Sequence, residues 1–182
     1  MNSNTIDEYK EVIEGCKEVF VKKTKDYGPA WRILRLPSIT DQIFIKAQRI
    51  RSIQEKGEQK VEDDIISEFI GIVNYCVIAM IQLELSDDYE ESIPIDRLIS
   101  MYDKAVEDTI QLFENKNHDY DEAWRDMRIS SITDIILMKI FRVKQIEDNE
   151  GKTLISEGVK ANYQDMMNYS VFCLIKLKSI NS

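Results

Sequence analysis

Acidic, basic and aromatic side chains recur in this chain in a fixed order, twice. Glu14, Asp26 and Glu68 in the first half, and Glu107, Asp119 and Asp165 in the second, are hard oxygen donors of the kind that hold Mg²⁺. Arg32/Arg35 and Lys46/Arg49, then Arg125/Arg128 and Lys139/Arg142, are spaced i, i+3, so each pair shares a face wherever its segment is helical. Such pairs suit phosphate, with arginine offering two parallel donors. Tyr27 with Trp31, and Tyr120 with Trp124, supply rings on which a base stacks. Each group also has an ordinary explanation. The loop aspartates would cap local amides, and the cations would pair with some of the 33 acidic residues. Ser38/Asp41 and Ser131/Asp134 lie close to a capping box, which is the favoured reading for Asp41 and Asp134.

The repetition itself carries information. Asp26 to Arg49 returns 93 residues later as Asp119 to Arg142, with 13 of 24 positions identical, whereas from Asp7 to Lys25 only Tyr9, Glu14, Phe20 and Lys23 return, as Tyr102, Glu107, Phe113 and Lys116. A packed core asks for apolar residues of suitable size, not for particular polar ones. Identical Asp, Arg, Lys and Trp therefore point to a site. A further match, with the offset grown by one, sets Gly71, Asn74 and Tyr75 against Asp165, Asn168 and Tyr169.

These residues must be positioned by helices. Ile6, Tyr9, Ile13, Cys16 and Phe20 have helical spacing and predict a first helix ending near Lys25. Asp-Tyr-Gly-Pro breaks it, and a second helix is expected after Pro37, with Ser38 as N-cap, to about Gln54. A third starts at Glu62, Asp63 and Asp64, acidic residues that suit a helix N-terminus. The second half repeats the order, with helices expected to about Asn115, from Ser131 to about Glu147, and onward to about Lys178. No alternating strand pattern is seen. The expected fold is all-α, two tandem three-helix repeats packed as a pseudo-twofold bundle: residues 1–85, a linker at 86–93, and residues 94–182.

Composition narrows the function. A net charge of −9 argues against an extended nucleic-acid surface. Ile65 to Leu85 is interrupted by Glu68, Asn74, Gln82 and Glu84, which reads as a buried helix, not a membrane span. Cys16, Cys76 and Cys173 sit in apolar helical runs as buried thiols, and with a polar N-terminus the expectation is a cytoplasmic protein. His118 is the only histidine, and no nucleophilic triad, zinc spacing or glycine-rich phosphate loop is present.

Lys-x-x-Asp-Tyr-Gly-x-Ala-Trp from Lys23 to Trp31, Lys-x-x-Arg at Lys46 and Arg49, and Asp-x-x-Asn-Tyr from Asp165 to Tyr169 resemble the nucleotide modification associated domain family. The chain looks like a tandem version along nearly its whole length. A more distant likeness is to the all-α nucleoside triphosphate pyrophosphohydrolases, MazG-like enzymes and dimeric dUTPases, which hold Mg²⁺ on helix-borne E-x-x-E and E-x-x-D pairs. That likeness implies Asp165 and Asn168 at the second pair and Glu14 or Glu107 at the first. It also marks departures: Asn74 and Asn168 are neutral, and Gly71 offers no ligand at all.

Three readings follow. In the first, the protein binds a nucleotide or similar small phosphorylated ligand and extends to Mg²⁺-dependent pyrophosphohydrolysis, with Glu107, Asp119 and Asp165 as metal ligands. Lys139 and Arg142 would then lie on the phosphates, and Tyr120 and Trp124 on the base. In the second it is a catalytically silent binding or scaffold protein. In the third the repeated polar residues form a structural network between the halves. The duplication either replaces a homodimer or leaves room for further homo-oligomer formation.

Overall fold

The computed structural model describes residues 3–57, 62–85, 93–117, 122–154 and 157–180. Among the described residues six helices carry the fold: α1 (Ser3–Tyr27), α2 (Leu36–Lys56), α3 (Glu62–Glu84), α4 (Ile95–Asn117), α5 (Ile129–Asp148) and α6 (Val159–Ile180). Short 3₁₀ turns at Ala30–Ile33 and Ala123–Asp126 follow α1 and α4, in segments the sequence marks only as loops. Among the described residues there is no strand.

Periodicity explains the packing. On α1 the buried positions are Tyr9, Ile13, Cys16 and Phe20, and on α4 they include Leu98, Tyr102, Val106, Thr109 and Phe113, one stripe on each helix. α3 is apolar nearly all round, and although it is long enough to cross a membrane it is largely buried, packed against α6, α2 and α4. α3 and α6 lie along each other at the centre, α2 and α5 pack together on one side, and α1 and α4 close the other. One continuous core runs through both halves. Cys16, Cys76 and Cys173 are free thiols within it, and burial pushes the Cys16 thiol up to about 12, far from the thiolate that reactivity needs.

The helix starts differ from expectation. Ser38 is not the N-cap of α2. Arg35 holds that position with extended backbone and no side-chain cap, as Arg128 does for α5. Pro37 then fits the first turn, where a missing N–H costs nothing. Asp41 and Asp134 are therefore not capping-box partners. Asp41 lies 2.9 Å from Lys144, and Asp134 3.6 Å from Arg51, and Arg51 and Lys144 are themselves counterparts in the repeat.

The same cross-half exchange holds Thr40 and Thr133. Thr40 meets Glu147 at 2.8 Å, while Gln54, the counterpart of Glu147, donates to Thr133 at 3.1 Å. Tyr163 adds a hydroxyl within 2.7 Å of Thr40 and 3.2 Å of Glu147. Burial raises the Glu147 pKa above 4.5; the Thr40 and Tyr163 hydrogen bonds oppose this and nearby Asp41 and Asp148 add to it. The folded chain thus holds this proton to higher pH than the unfolded chain, and stability falls as pH rises through that interval. Glu147→Gln, which copies Gln54, is expected to melt about 2 °C higher than the parent near neutral pH. The gap should close as pH drops below the ordinary glutamate range. A gap independent of pH in a series of thermal melts would show that Glu147 is not the group responsible.

Candidate functional site

The residues repeated between the halves are not gathered in one place; in the first half Phe20, Lys23, Tyr27, Ala30, Trp31, Lys46, Asn74 and Tyr75 line a cavity, and the others lie elsewhere. The last turn of α1 carries Lys23, Thr24 and Tyr27 into it. Gly28, at φ +69, then turns the chain, a backbone conformation in which a side chain would be strained. The 3₁₀ turn presents Ala30 and Trp31, α2 contributes Lys46, and α3 contributes Gly71, Asn74, Tyr75 and Ile78. The cavity measures about 510 Å³, within the range of small-molecule sites. Its described lining holds two lysines and several aromatic rings, and no carboxylate.

The turn is locked from α3. The Gln82 amide donates to the carbonyls of Arg32 (3.2 Å) and Leu34 (2.8 Å) and accepts from the Arg32 guanidinium. Lys176, the counterpart of Gln82, donates to the carbonyl of Arg125 in the same way. Burial raises the Tyr75 phenol above its ordinary value, with nearby Tyr27 adding, so Tyr75 is a neutral donor at the pocket wall. The indole N–H groups of Trp31 and Trp124 are buried without a hydrogen-bond partner among the described residues.

Lys46 lies against bare backbone: a Cβ on Gly71 would come within 2.6 Å of its Cε and 2.9 Å of its Nζ. Its ammonium is 3.2 Å from Glu68, which also takes Arg49 at 3.1 Å, and sits 5.9 Å from the Tyr75 ring centre. In the second half the glycine is Asp165, and Lys139 pairs with it at 2.7 Å.

The remaining expected residues fall into three groups. Glu14, Asp26 and Glu107 are exposed on α1 and α4, as are Arg35 and Arg128 at their N-cap positions. Arg142 is exposed and, with Lys139, borders an open groove of about 1100 Å³ toward Lys152 and Thr153. Arg125 is engaged by Glu8 (2.6 Å) and Glu122 (2.8 Å) and lies over Trp124, so its charge is already compensated. Asn168 is buried and accepts the Tyr9 hydroxyl at 2.7 Å, as Asn74 accepts Tyr102 at 2.8 Å, which makes both asparagines bolts between the halves. Asp119 and Tyr120 lie outside the described residues.

Of the expected Mg²⁺ ligands Asp119 lies outside the described residues, Glu107 is exposed on α4 and Asp165 is paired with Lys139. Among the described residues no group of three or more His, Cys, Asp or Glu is placed to hold a metal. Glu68 and Asp165, the two carboxylates nearest the retained cations, are each taken by lysine. Sequence reasoning did not single out Ser67, Gly71 or Ile78 as pocket lining. The one available signal was a glycine standing where the other half has an aspartate.

The model of nucleotide modification associated domain 1 matches residues 23–83 and again residues 116–177. The chain belongs to this family. Both copies of the nucleotide modification associated domain begin at the lysine of the Lys-x-x-Asp-Tyr motif and end within the third helix of their half. Glu14 and Glu107 fall outside both matched segments, whereas the described cavity is lined almost wholly from within the first. No curated protein and no solved structure matches the chain.

Proposed function

We propose that this protein binds a nucleotide, or a nucleotide-like phosphorylated small molecule, in the cavity of its first copy. The observation that carries the reading is the convergence of Lys23 and Lys46 with Tyr27, Trp31 and Tyr75 around a single carboxylate-free cavity. Lys23, exposed at the rim, and Lys46, partly buried and shared with Glu68, present ammonium point charges that attract phosphate. The rings offer faces to a planar base, and the buried Trp31 N–H offers a donor that the protein leaves without an acceptor. The description of the family, a nucleotide modification associated domain, agrees with such a ligand.

Between the two functional readings, the geometry favours binding over hydrolysis. A metal-dependent pyrophosphohydrolase needs carboxylates free to hold Mg²⁺ beside the phosphates. Here the described candidate carboxylates either face solvent or are held by lysine and arginine. Water attack would also lack a described general base in the cavity lining.

The test is calorimetric titration with canonical and modified nucleoside mono- and triphosphates, with and without Mg²⁺, while pyrophosphate release is followed in parallel. Binding in the micromolar range without metal, weakened at least tenfold by Trp31→Ala and showing no turnover, is the expected result. Mg²⁺-dependent pyrophosphate release lost in Asp165→Ala would replace this reading with the hydrolytic one.

A further inference from the structure

The two copies differ most where the cavity would close. Ile78 lines it in the first copy, and the aligned residue in the second is Phe172. The Phe172 ring stacks on Trp124 with centroids 4.4 Å apart and planes 11° from parallel. It lies 5.2 Å from the Phe113 ring and meets Tyr169 edge-on at 6.2 Å. Trp124, Phe113 and Tyr169 are the counterparts of Trp31, Phe20 and Tyr75, which are three walls of the first-copy cavity. A phenyl ring therefore occupies, in the second copy, the space that the smaller Ile78 leaves open in the first. Exposure agrees: Trp124 is 5% exposed, whereas Trp31 is only half-buried. At the polar end both lysines are paired, Lys139 with Asp165 at 2.7 Å and Lys46 with Glu68 at 3.2 Å, but only Lys46 passes over bare backbone, at Gly71.

Resting on the nucleotide-binding reading, we propose that the chain has one working pocket, and that Phe172 holds in the second copy the place a planar ring of the ligand takes against Trp31 in the first. The ligand's ring then lies parallel to the Trp31 indole, between Phe20 and Tyr75, with its phosphates toward Lys46. An offset-stacked pair at this spacing is the preferred arrangement of aromatic rings. The ligand class is thus one whose planar heterocycle carries no bulky group on the stacked face. The duplication separates two tasks: the second copy completes the core with its own side chain, and the first keeps the cavity.

The test needs no ligand at its first stage. Trp124→Phe leaves Trp31 as the sole indole reporter and Trp31→Phe leaves Trp124, and acrylamide quenching reads their accessibility. Trp31 should quench several-fold more steeply than Trp124. Ile78→Phe should bring Trp31 down to the level of Trp124, and Phe172→Ile should raise Trp124, with circular dichroism verifying the fold. Ile78→Met gives a second, milder filling should the phenylalanine not fold. Equal quenching of the two reporters, or no response to either filling variant, overturns the proposal. At the second stage, titration with the nucleotides that bind should give one site per chain, and none in Ile78→Phe; two sites in the parent protein would also overturn it. A protein that binds no nucleotide yet shows the quenching contrast removes the nucleotide reading and retains the closed second copy.

Discussion

Asn74→Ala is expected to cost about 2–4 kcal/mol of stability, the largest loss foreseen for any single polar residue here. The side chain works in two directions. Its Oδ1 accepts the Tyr102 hydroxyl from α4 at 2.8 Å, and its Nδ2 donates to the Cys16 carbonyl of α1 at 3.0 Å. Tyr102 is fully buried, so removing its acceptor strands a hydroxyl where water cannot replace the bond. Tyr102→Phe alone removes the hydroxyl and leaves the Asn74 Oδ1 without its donor, but Asn74 borders the cavity, where water can take that place, so the loss should be only about 1 kcal/mol. In the double variant the stranded hydroxyl is gone, so Asn74→Ala should cost less in the Tyr102→Phe background than in the parent. Chemical denaturation of the four proteins measures this coupling. Strict additivity would mean that the asparagine acts elsewhere, for instance on a ligand through its cavity-facing edge. The mirror pair Tyr9 and Asn168 should behave alike, because it makes the same bond across the pseudo-twofold.

Those two pairs explain what the sequence could and could not convey. The six described helices and their order are legible in the sequence: α1 from a stripe of apolar residues at helical spacing, α3 as a long apolar run between polar turns, and the second half from the repeat. The repeat singled out polar positions, but identity at a fixed offset has two physical sources. Tyr9/Tyr102, Thr40/Thr133 and Asp41/Asp134 recur because a pseudo-twofold bundle needs each bolt twice, once from either half. Lys46 and Trp31 recur with counterparts of changed surroundings, and only their neighbours reveal it. The partners that would have separated the two classes are not identical residues: Gln54 answers Glu147, and Arg51 answers Lys144. Nor could the offset alone reveal Phe172. It differs from Ile78 by one apolar residue for another, within a helix where other apolar positions, such as Met80 and Leu174, also change between the copies.

Gly71→Asp is expected to weaken nucleotide binding by tenfold or more while leaving the fold intact. Gly71, like Gly28, is a wall position where the first copy has only backbone and the second has an aspartate in sequence, and of the two only Gly71 lies against Lys46. A side chain there would crowd the Lys46 terminus, but that terminus is the free end of a flexible chain and can shift. The new carboxylate would then stand to Lys46 as Asp165 stands to Lys139, at 2.7 Å. Losing one charge-assisted bond to phosphate costs about 1.5–3 kcal/mol, and a carboxylate in the cavity adds repulsion of the anion. Helix α3 needs no rebuilding, because Gly71 sits mid-helix, where any residue other than proline favours the helix more than glycine does. The converse substitution, Asp165→Gly, should release Lys139 without creating binding, since Phe172 still fills the ring space. Gly71→Ala, which adds the bulk without the charge, separates the two effects in the first copy, while the second stays closed through shape. Were Gly71→Asp instead to confer Mg²⁺-dependent pyrophosphate release, the glycine would mark a lost metal ligand, and the first copy would be the remnant of a hydrolase.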